Sequence, residues 1–557
     1  MTYLNLISFF GIFMLCFIAW LFSEDRRVIQ WRVIIWGIGL QLLLGFLVFQ
    51  APGTREALNW FSSLLDGVFG AADRGARFVF GPLLVPPTGM EPFSLLAAKD
   101  GVCSPGQVLL DNLGESGKAF CTTNRLAYVF AFRALPAVIF FSGLMGLLEN
   151  LGLIQIVTEW FAKLFFWTMR LSGAESLSGA ANIFVGIEAA IVVKPYLPKM
   201  TRSELCAILA CCFGTAASST LAIYVSFLRP VFPNILGHLV SASIIAIPAC
   251  FVLSKILVPE VGTPVTMGGI PKEDKKAKRA AAEEGELENA GGETMKRMSP
   301  MDATIIGALD GLKMAASIAA VLIMVVGLVD LFNQLFGWFA TLPDPIGGFF
   351  KVVTLANIQG ALFYPLTLLT GVSADDAWTA SVIIGRRLLE TAIPPYQALA
   401  AEAAKGTISD RTVLIVSYAL SGFAHLASVG IFVGGTIALI PSRRKDISEL
   451  GWKALFVGTL ATLMIACIAG LYDDGSPGVL GEKAAPKPAA TTKPTAPKSD
   501  AKPDDKPLTA PTIAPSASPT ATPTTPTQTT ATPNTGSPAM VSPKPTATAT
   551  PKATPSR

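Results

Sequence analysis

The sequence predicts an all-α, polytopic membrane protein with about eight transmembrane helices and two re-entrant hairpins arranged in an inverted repeat. First, 51% of the 557 residues are hydrophobic and the mean hydropathy is +0.53, well above the values of soluble domains of this length. Second, apolar segments long enough to cross a bilayer recur along the chain. Third, the apolar stretch 172–196 is interrupted by polar residues and is too short to cross twice, and the second half of the chain repeats its pattern.

Candidate spans are the longest apolar segments. They lie at 3–22, 33–50, 127–148, 203–227, 234–257, 314–337, 411–441 and 452–471. Because lipid leaves no partner for a free backbone polar group, segments of this length and composition are helical. No small-residue cleavage site follows the first segment, so we expect a retained span rather than a signal peptide.

Basic residues in three short loops predict the orientation. They are Arg26, Arg27 and Arg32; Lys194, Lys199 and Arg202; and Arg443, Arg444 and Lys445. With eight predicted crossings all three loops fall on one side, which the positive-inside rule assigns to the cytoplasm. The N-terminus, the 83–126 loop and the C-terminal tail are then external.

Composition also divides the chain between its spans. Residues 1–82 contain the first two spans and, at 52–82, apolar residues at helical spacing that are typical of an interfacial helix. The charged segment 259–300 is predicted to be a cytoplasmic linker. The Pro/Thr/Ala/Lys tail at 483–557 is predicted to be a disordered spacer. Its eight Lys and one Arg against three Asp account for the net charge of +4, so no basic surface indicates nucleic acid.

Two of the eight cysteines lie in the external loop. Cys103 and Cys121 could form a disulfide there, because an oxidising compartment preserves such bonds; two free thiols are the alternative. The other six lie in apolar spans, where Cys packs as a small hydrophobe.

The stretch 172–196 is predicted to be the first hairpin. Two short apolar arms meet at Asn182–Gly186. Broken backbone at membrane depth is tolerated only where it is buried in protein or lines a cavity. An ionisable side chain there is costly, which makes Glu188 a functional candidate; a Glu that forms a salt bridge between packed helices is the alternative.

The second half of the chain repeats this pattern. Glu188-Ala-Ala-Ile-Val-Val-Lys-Pro-Tyr196 corresponds to Glu390-Thr-Ala-Ile-Pro-Pro-Tyr396, and each is followed by a span with a polar interruption, at 213–218 and 423–428. Such repeats are typical of secondary transporters whose site lies where the two halves meet. We therefore predict two transport halves. They are 127–258 with a hairpin at 173–198, and 301–472 with a hairpin at about 377–400.

Several segments, in order, resemble the concentrative nucleoside transporters over roughly Trp31 to Leu471. They are Leu135-Pro136-x3-Phe140-Phe141-Ser142, Ser172-Gly-Ala-Glu-Ser176, Ala180-Ala-Asn-x-Phe-x-Gly186, Glu188-Ala189, Lys194-Pro-Tyr196, Met200-Thr-x-Ser-Glu204, Tyr418-Ala-Leu-Ser-Gly-Phe-Ala424 and Ser428-x-Gly-Ile431. The resemblance implies sodium- or proton-driven uptake of nucleosides by a homotrimer surrounded by membrane lipid. It also implies the plasma membrane, the inner membrane of a bacterial cell, and no organic cofactor.

The family's first hairpin reads Gly-Gln-Thr-Glu-Ala and faces the nucleobase. Gly186 and Glu188 match it, whereas the Gln is absent and Ile187 replaces Thr. Because polar groups of this kind provide discrimination, the family's base preference does not carry over. Thr220 falls where the fourth span lines the substrate cavity.

On the ribose side the family has Asn-Glu in the second hairpin, which falls on Thr391 and Ala392. The nearest acid is Glu390. Either Glu390 takes over the substrate contact, or it pairs with Arg386 or Arg387 at helical spacing.

The family's Phe-Ala-Asn-x2-Ser motif follows this hairpin. Phe423 and Ser428 match it, and His425 stands at the position of the ribose-contacting Asn. An imidazole can still bond to a hydroxyl, and it titrates near neutral pH. With proton coupling, His425 and Glu188 are the titrating candidates.

The family's sodium ligands match neutral oxygen donors of this chain. They are Asn182, Val185, Thr215 and Ala216. The missing residue of the first hairpin lies beside Val185.

These features predict an ion-coupled secondary active transporter that takes up nucleosides. The alternative within transport is another polar metabolite in a repurposed site. A membrane-embedded enzyme is less favoured, because the chain has only two His, His238 and His425, and no Gly-x-Ser-x-Gly motif. A sensor is less favoured because 259–300 does not predict a folded domain.

Overall fold

The computed structural model describes the helical part of the chain. The described residues are 2–50, 67–68, 70–81, 84–85, 94–98, 121–125, 130–184, 186, 188–191, 193–194, 196–267, 269, 287–288, 294–295 and 299–475. They all belong to one unit, Met1–Pro486. Cys103, the tail at 483–557 and most of the 83–126 and 259–300 segments lie outside them, so the disulfide, the external loop, the linker and the disordered tail stay predictions.

Helices dominate the described residues, which confirms the all-α class. In chain order they are α1 (Tyr3–Leu21), α2 (Trp31–Phe49), α3 (70–81), α4 (Phe130–Asn150), α5 (Leu153–Met169), α6 (Gly173–Ala181), α7 (Glu188–Ile191), α8 (Arg202–Gly214), α9 (Ser218–Leu228), α10 (Ile235–Leu257), α11 (Pro300–Phe339), α12 (Ile346–Val352), α13 (Leu355–Leu369), α14 (Ala374–Glu390), α15 (Ile393–Lys405), α16 (Asp410–Ala419), α17 (Leu426–Leu439) and α18 (Arg444–Tyr472). Short 3-10 turns lie at Leu197–Lys199 and Pro441–Arg443.

Two small antiparallel ribbons were not predicted. In the first, β1 (Ser94–Ala98) pairs with β2 (Cys121–Arg125), with Ser94 opposite Arg125. In the second, β3 (Leu287–Glu288) pairs with β4 (Thr294–Met295). Both lie in the connecting segments that the sequence placed outside the spans.

Each of the predicted spans overlaps a helix or a helix pair. By length and composition, five described helices can cross a membrane alone, namely α1, α2, α10, α11 and the last helix. The count rises to seven if two bent pairs each form one span: α4 with α5, bent by 76°, and α12 with α13, bent by 58°. The spans predicted at 203–227 and 411–441 are each broken into two helices. Helices α5, α12 and α13 were not predicted.

The repeat is visible in the order of elements. The first half runs hairpin (α6, α7), broken helix (α8, α9) and long buried helix (α10). The second half runs hairpin (α14, α15), broken helix (α16, α17) and long buried helix (α18). Helices α10 and α18 are each buried along 89% of their apolar stretch, so both halves contribute to one central core.

The three basic loops meet at one end of the molecule, as the orientation predicts. The Arg202 guanidinium lies 3.0 Å from Glu24, 3.3 Å from Asp446 and 2.9 Å from Glu449. Arg443 donates to the Met200 carbonyl at 2.9 Å. Burial alone would raise the pKa of Glu24, but hydrogen bonds from Lys453 and Arg202 outweigh it and lower that pKa below its ordinary value.

The opposite end joins the first and last helices. The Asn5 amide donates to the carbonyls of Leu471 and Asp473, both at 2.8 Å. Arg411 pairs with the Asp473 carboxylate at 3.0 Å. The beginning of α1 and the end of α18 therefore lie on the same side, as the predicted even number of crossings requires.

The two helix breaks contact each other at the centre. The Phe423 N–H donates to the Thr215 carbonyl at 3.3 Å. A Cβ at Gly422 would lie 2.6 Å from Thr462 Cγ2 and 2.8 Å from the carbonyl oxygens of Phe213 and Gly214. The absence of a side chain at Gly422 therefore allows the two breaks to approach this closely.

We predict that Gly422→Ala lowers the stability of the protein by about 1–3 kcal/mol, as overpacking of a filled core does. The measurement is thermal unfolding of the detergent-purified protein. The matched control is Gly434→Ala in α17, where an added Cβ meets no atom within 4 Å. Equal unfolding temperatures for the two variants would contradict the close contact.

Candidate functional site

The tip of the first hairpin holds a buried acceptor. The Asn182 backbone N–H and side-chain amide both donate to the Ser178 carbonyl, at 3.0 and 3.1 Å. Its Oδ1 is buried and has no hydrogen-bond donor among the described residues. Ser178 Oγ in turn donates to the Ala189 carbonyl at 3.0 Å, which ties the two arms together. A buried oxygen of this kind costs about 1–3 kcal/mol unless a ligand satisfies it.

Other predicted residues of this hairpin are only partly described. Gly186 is buried, and its carbonyl accepts from the Ala189 N–H at 3.1 Å. The backbone of Glu188 begins the short helix α7, but its side chain lies outside the described part of the structure. Val185 lies outside the described residues altogether.

The first break, between α8 and α9, places extended backbone inside the protein. Thr215 is extended, with φ −117° and ψ 167°, and Ala216 is fully buried. The Thr215 hydroxyl donates to the Cys211 carbonyl at 2.8 Å, which leaves its oxygen lone pairs for a ligand. Thr220 bonds to the Ala217 carbonyl at 2.8 Å in the first turn of α9.

The second break begins where α16 ends, and side chains satisfy the carbonyls there. Tyr396 Oη donates to the Ser417 carbonyl at 2.9 Å, and Ser421 Oγ donates to the Tyr418 carbonyl at 2.8 Å. Arg387 Nη1 donates to the Ala419 carbonyl. Since Tyr396 and Arg387 belong to the second hairpin, this hairpin caps the C-terminal end of the half-helix.

His425 caps the other side of this break. It is the N-cap residue of α17, 6% exposed, and its Nδ1 accepts from the Ser428 N–H at 3.2 Å. A ring nitrogen that accepts carries no proton, so this imidazole is neutral in the observed arrangement. The Ser428 hydroxyl lies 3.1 Å from the same nitrogen. Asn and His can both supply an acceptor here, which explains how one replaces the other.

Phe423 connects this cap to the first break. Its ring centroid lies 6.1 Å from that of His425, at 89°, and 6.0 Å from that of Phe432. Together with its backbone bond to Thr215, this places the matched Phe423 and Ser428, and His425 at the Asn position of the motif, in one group at the contact between the two breaks.

Glu390 is paired in the structure. Arg386 Nε lies 3.0 Å from both carboxylate oxygens, and Nη2 lies 2.8 Å from Oε2. Of the two alternatives, the geometry thus favours the ion pair at i, i+4 spacing over a contact with the substrate. The physical reason is that both oxygens are already engaged by one planar guanidinium.

Arg387 is a candidate site residue that the sequence did not single out beyond a possible pairing with Glu390. It is almost fully buried, and its Nη2 donates to Thr462 Oγ1 at 3.0 Å. The neighbouring Tyr396 ring stacks on Tyr224 with centroids 4.5 Å apart and planes at 22°. The sequence signal that could have identified Arg387 is its position in the last turn of a helix that leads into a hairpin tip.

These elements define a class of protein. Two hairpins and two broken helices bring unpaired oxygens, helix ends and polar side chains to the centre of an apolar helical bundle. This is the architecture of a secondary membrane transporter built from repeated halves.

Comparison with known proteins gives the family. Three family models match: "Na+ dependent nucleoside transporter C-terminus" at 238–470, "Na+ dependent nucleoside transporter N-terminus" at 10–83 and "Nucleoside recognition" at 131–231. The uncharacterized transporter YutK of Bacillus subtilis is 33% identical over 82% of this chain and 96% of its own length. Solute carrier family 28 member 3 of Mus musculus is 30% identical over 84% of this chain. The chain spans 59% of that mammalian relative's length.

Solved structures agree with this assignment. CNTnw in an inward-facing substrate-bound state is 31% identical, with a TM-score of 0.66 over 84% of this chain and 98% of that chain. A CNTnw variant in the intermediate 3 state gives a TM-score of 0.68 at 30% identity, over 85% of this chain and 99% of that chain. The chain belongs to the concentrative nucleoside transporter family. It is a multi-pass protein of the plasma membrane, as predicted.

We predict that His425→Ala lowers stability by about 1 kcal/mol, the usual cost of losing an N-cap acceptor. His425→Asn should retain the stability of the wild type, because its side-chain oxygen can accept from the Ser428 N–H. Thermal unfolding of the two purified variants distinguishes them. If Asn destabilises the protein as much as Ala does, the capping role is wrong.

Proposed function

We propose that this chain is an ion-coupled secondary active transporter that takes up nucleosides across the plasma membrane. The observation that carries the proposal is the contact between the two helix breaks, where the Phe423 N–H donates to the Thr215 carbonyl. The family supports the activity. For example, Sodium/nucleoside cotransporter 2 of Rattus norvegicus is 30% identical over 84% of this chain and 62% of its own length.

Sodium is the proposed coupling ion. The unpaired Asn182 Oδ1, the Thr215 hydroxyl and the carbonyl of the fully buried Ala216 are neutral oxygen donors, and the Val185 carbonyl is the fourth proposed ligand. Oxygen donors without formal charge suit a hard monovalent cation.

Proton coupling through His425 is the less favoured alternative. Protonation of Nδ1 would remove the cap of α17 and add a positive charge at the positive end of a helix dipole. If His425 stays neutral for this reason, Glu188 is the other titratable residue that could carry the coupled proton.

Nucleoside contacts are assigned to residues on both sides of the breaks. The proposed set is Gly186, Glu188, Thr220, Phe423, His425 and Ser428, with Glu390 included only if its pair with Arg386 opens. A different polar metabolite is the second candidate, favoured by one observation: the described tip of the second hairpin offers no unpaired carboxylate, since Glu390 is bound to Arg386 and Ala392 stands in the position of the family's acid.

A homotrimer in the lipid bilayer is the proposed assembly. The apolar stretch of α11 is only 6% buried within one chain, although α11 packs on α4 through close contacts at Gly146 and Gly307. An exposed Asp330–Gln334 hydrogen bond of 2.7 Å also lies on α11. A second copy would cover such a face, and lipid would cover the rest.

The function is tested by uptake of radiolabelled nucleosides into proteoliposomes, with imposed sodium or pH gradients and a panel of other solutes. Sodium-dependent accumulation of a nucleoside is the expected result. Uptake that ignores sodium and follows a pH gradient would favour proton coupling, and the absence of uptake of any nucleoside would reject the proposed substrate.

We predict that Asn182→Ala raises the sodium concentration for half-maximal uptake by about tenfold, which corresponds to roughly 1.4 kcal/mol of lost ion binding. Asn357→Ala is the control. The side-chain amide of Asn357 donates to the Val352 carbonyl of α12 at 2.8 Å, and Asn357 is not one of the proposed sodium ligands. An unchanged sodium requirement in Asn182→Ala would remove this residue from the ion site.

We predict that Glu188→Gln abolishes or strongly reduces uptake while the protein still assembles and unfolds at the wild-type temperature. A neutral amide keeps the shape of the side chain but not its charge. Glu159→Gln, which alters an exposed pair with Lys163 on α5, is the control and should transport normally. Normal uptake by Glu188→Gln would exclude a role at the site.

A further inference from the structure

Arg387 is an almost fully buried cation without a carboxylate partner among the described side chains. It is 1% exposed; two of its N–H groups donate to the Ala419 carbonyl and to Thr462 Oγ1, and its Nε–H has no acceptor. Lys255, which is similarly buried, shows the usual arrangement, since it lies 2.5 Å from Glu175 and 3.3 Å from Glu260. Among the described residues, Arg387 therefore has no oppositely charged partner.

A buried guanidinium remains charged, and a buried charge without a countercharge is strongly destabilising. The C-terminal end of α16 offsets part of this charge through its partial negative dipole, because the Ala419 carbonyl belongs to the last turn. A guanidinium has five N–H donors, so three remain after these two bonds. The two hydrogen bonds to Ala419 and Thr462 therefore use only part of the donor capacity of the Arg387 guanidinium.

The tip of the second hairpin offers donors and no free acid. The carboxylate of Glu390 is occupied by Arg386, and the next residues are Thr391 and Ala392. The Thr391 hydroxyl is buried with no partner in the described structure, and its backbone has φ +69°, a conformation that a β-branched residue rarely adopts. Strain of this kind persists where the surrounding structure enforces it and is common at ligand sites.

Arg387 also lies at the contact that the proposed function uses. Its two bonded partners are at the end of α16, beside the second break, and on α18, next to Gly422. His425 caps the far side of the same break. A negatively charged group that reached this point would meet the Nε–H of Arg387, which has no acceptor among the described residues, and the N-terminal end of α17.

We propose that Arg387 binds an anionic oxygen group of the transported solute, a carboxylate or a phosphate, so that this transporter prefers an acidic nucleoside derivative to the neutral nucleoside. The proposal rests on the proposed function. Guanidinium geometry matches both anions, and the experiment distinguishes them.

The test is competition in proteoliposomes. Unlabelled uridine, uridine 5′-monophosphate and uridine 5′-carboxylic acid each compete with radiolabelled uridine for uptake. At least one of the two acids should compete at a concentration at least tenfold lower than uridine does, and the acid that does so identifies the anion. Arg387→Gln should remove this advantage, whereas Arg387→Lys should keep part of it.

Lys405→Gln is the matched control. It removes a positive charge from the same hairpin, where Lys405 is exposed and paired with Glu402 at 2.7 Å, and should leave the ratio between acid and uridine unchanged. The ratio separates binding from folding, because a merely structural loss in Arg387→Gln lowers the uptake of labelled uridine without changing how strongly the acids compete relative to unlabelled uridine. The increase in unfolding temperature of the purified protein with each solute is the second measurement, since it reports binding even without transport.

Three results would overturn the inference. Equal potency of acids and uridine in the wild type is one, and an unchanged ratio in Arg387→Gln is another. The third is recovery of uridine uptake in Glu188→Gln/Arg387→Gln after its loss in each single variant, which would identify Glu188 as the partner. If uridine is neither transported nor stabilising while an acid is, the neutral-nucleoside function fails and the assignment of Arg387 stands.

Discussion

The structure depends on one constraint: backbone polar groups at a helix break inside a membrane protein must find partners within the protein. In the described structure, the break between α8 and α9 and the break between α16 and α17 each leave helix ends in the core. Tyr396, Ser421 and Arg387 satisfy the carbonyls of α16, and His425 satisfies an amide of α17. The second hairpin is thereby fixed against the broken helix that follows it.

The same constraint leaves some groups available for ligands. Among the described residues, Asn182 Oδ1 near the first break is buried without a donor, and the Nε–H of Arg387 in the second hairpin is buried without an acceptor. One half of the repeat thus offers an oxygen suited to a cation, and the other offers a donor suited to an anion. This asymmetry follows from a few side chains rather than from the fold, which has the same order of elements in both halves.

Much of the fold could be predicted because its signals are local. Apolar length predicted the spans, a polar interruption in an apolar stretch predicted the first hairpin and both breaks, and the internal repeat predicted the second hairpin. Helix α5 was missed because charged residues such as Glu159 and Lys163 interrupt its apolar residues. The ribbons β1–β2 and β3–β4 were missed because their short strands lie in polar segments without a clear alternating pattern.

The site was predicted less completely, for reasons of distance along the chain. His425 and Ser428 are three residues apart, so their contact follows from a helix start, and both were identified. The partners of Arg387 are Ala419 and Thr462, which are 32 and 75 residues away, and sequence spacing alone could not choose them. For Glu390 the spacing gave two possible Arg partners, and only the coordinates identify Arg386.

The cluster around Arg202 has a consequence for how the protein is made. Positive charges in short loops guide the orientation of spans during insertion, before tertiary contacts exist. Arg202 and Arg443 later bond to Glu24, Asp446 and the Met200 carbonyl in the finished protein. The same residues therefore act in biogenesis and again in the native state. Replacing Arg with Lys conserves the insertion signal while weakening these multidentate contacts, so the two roles can be separated genetically.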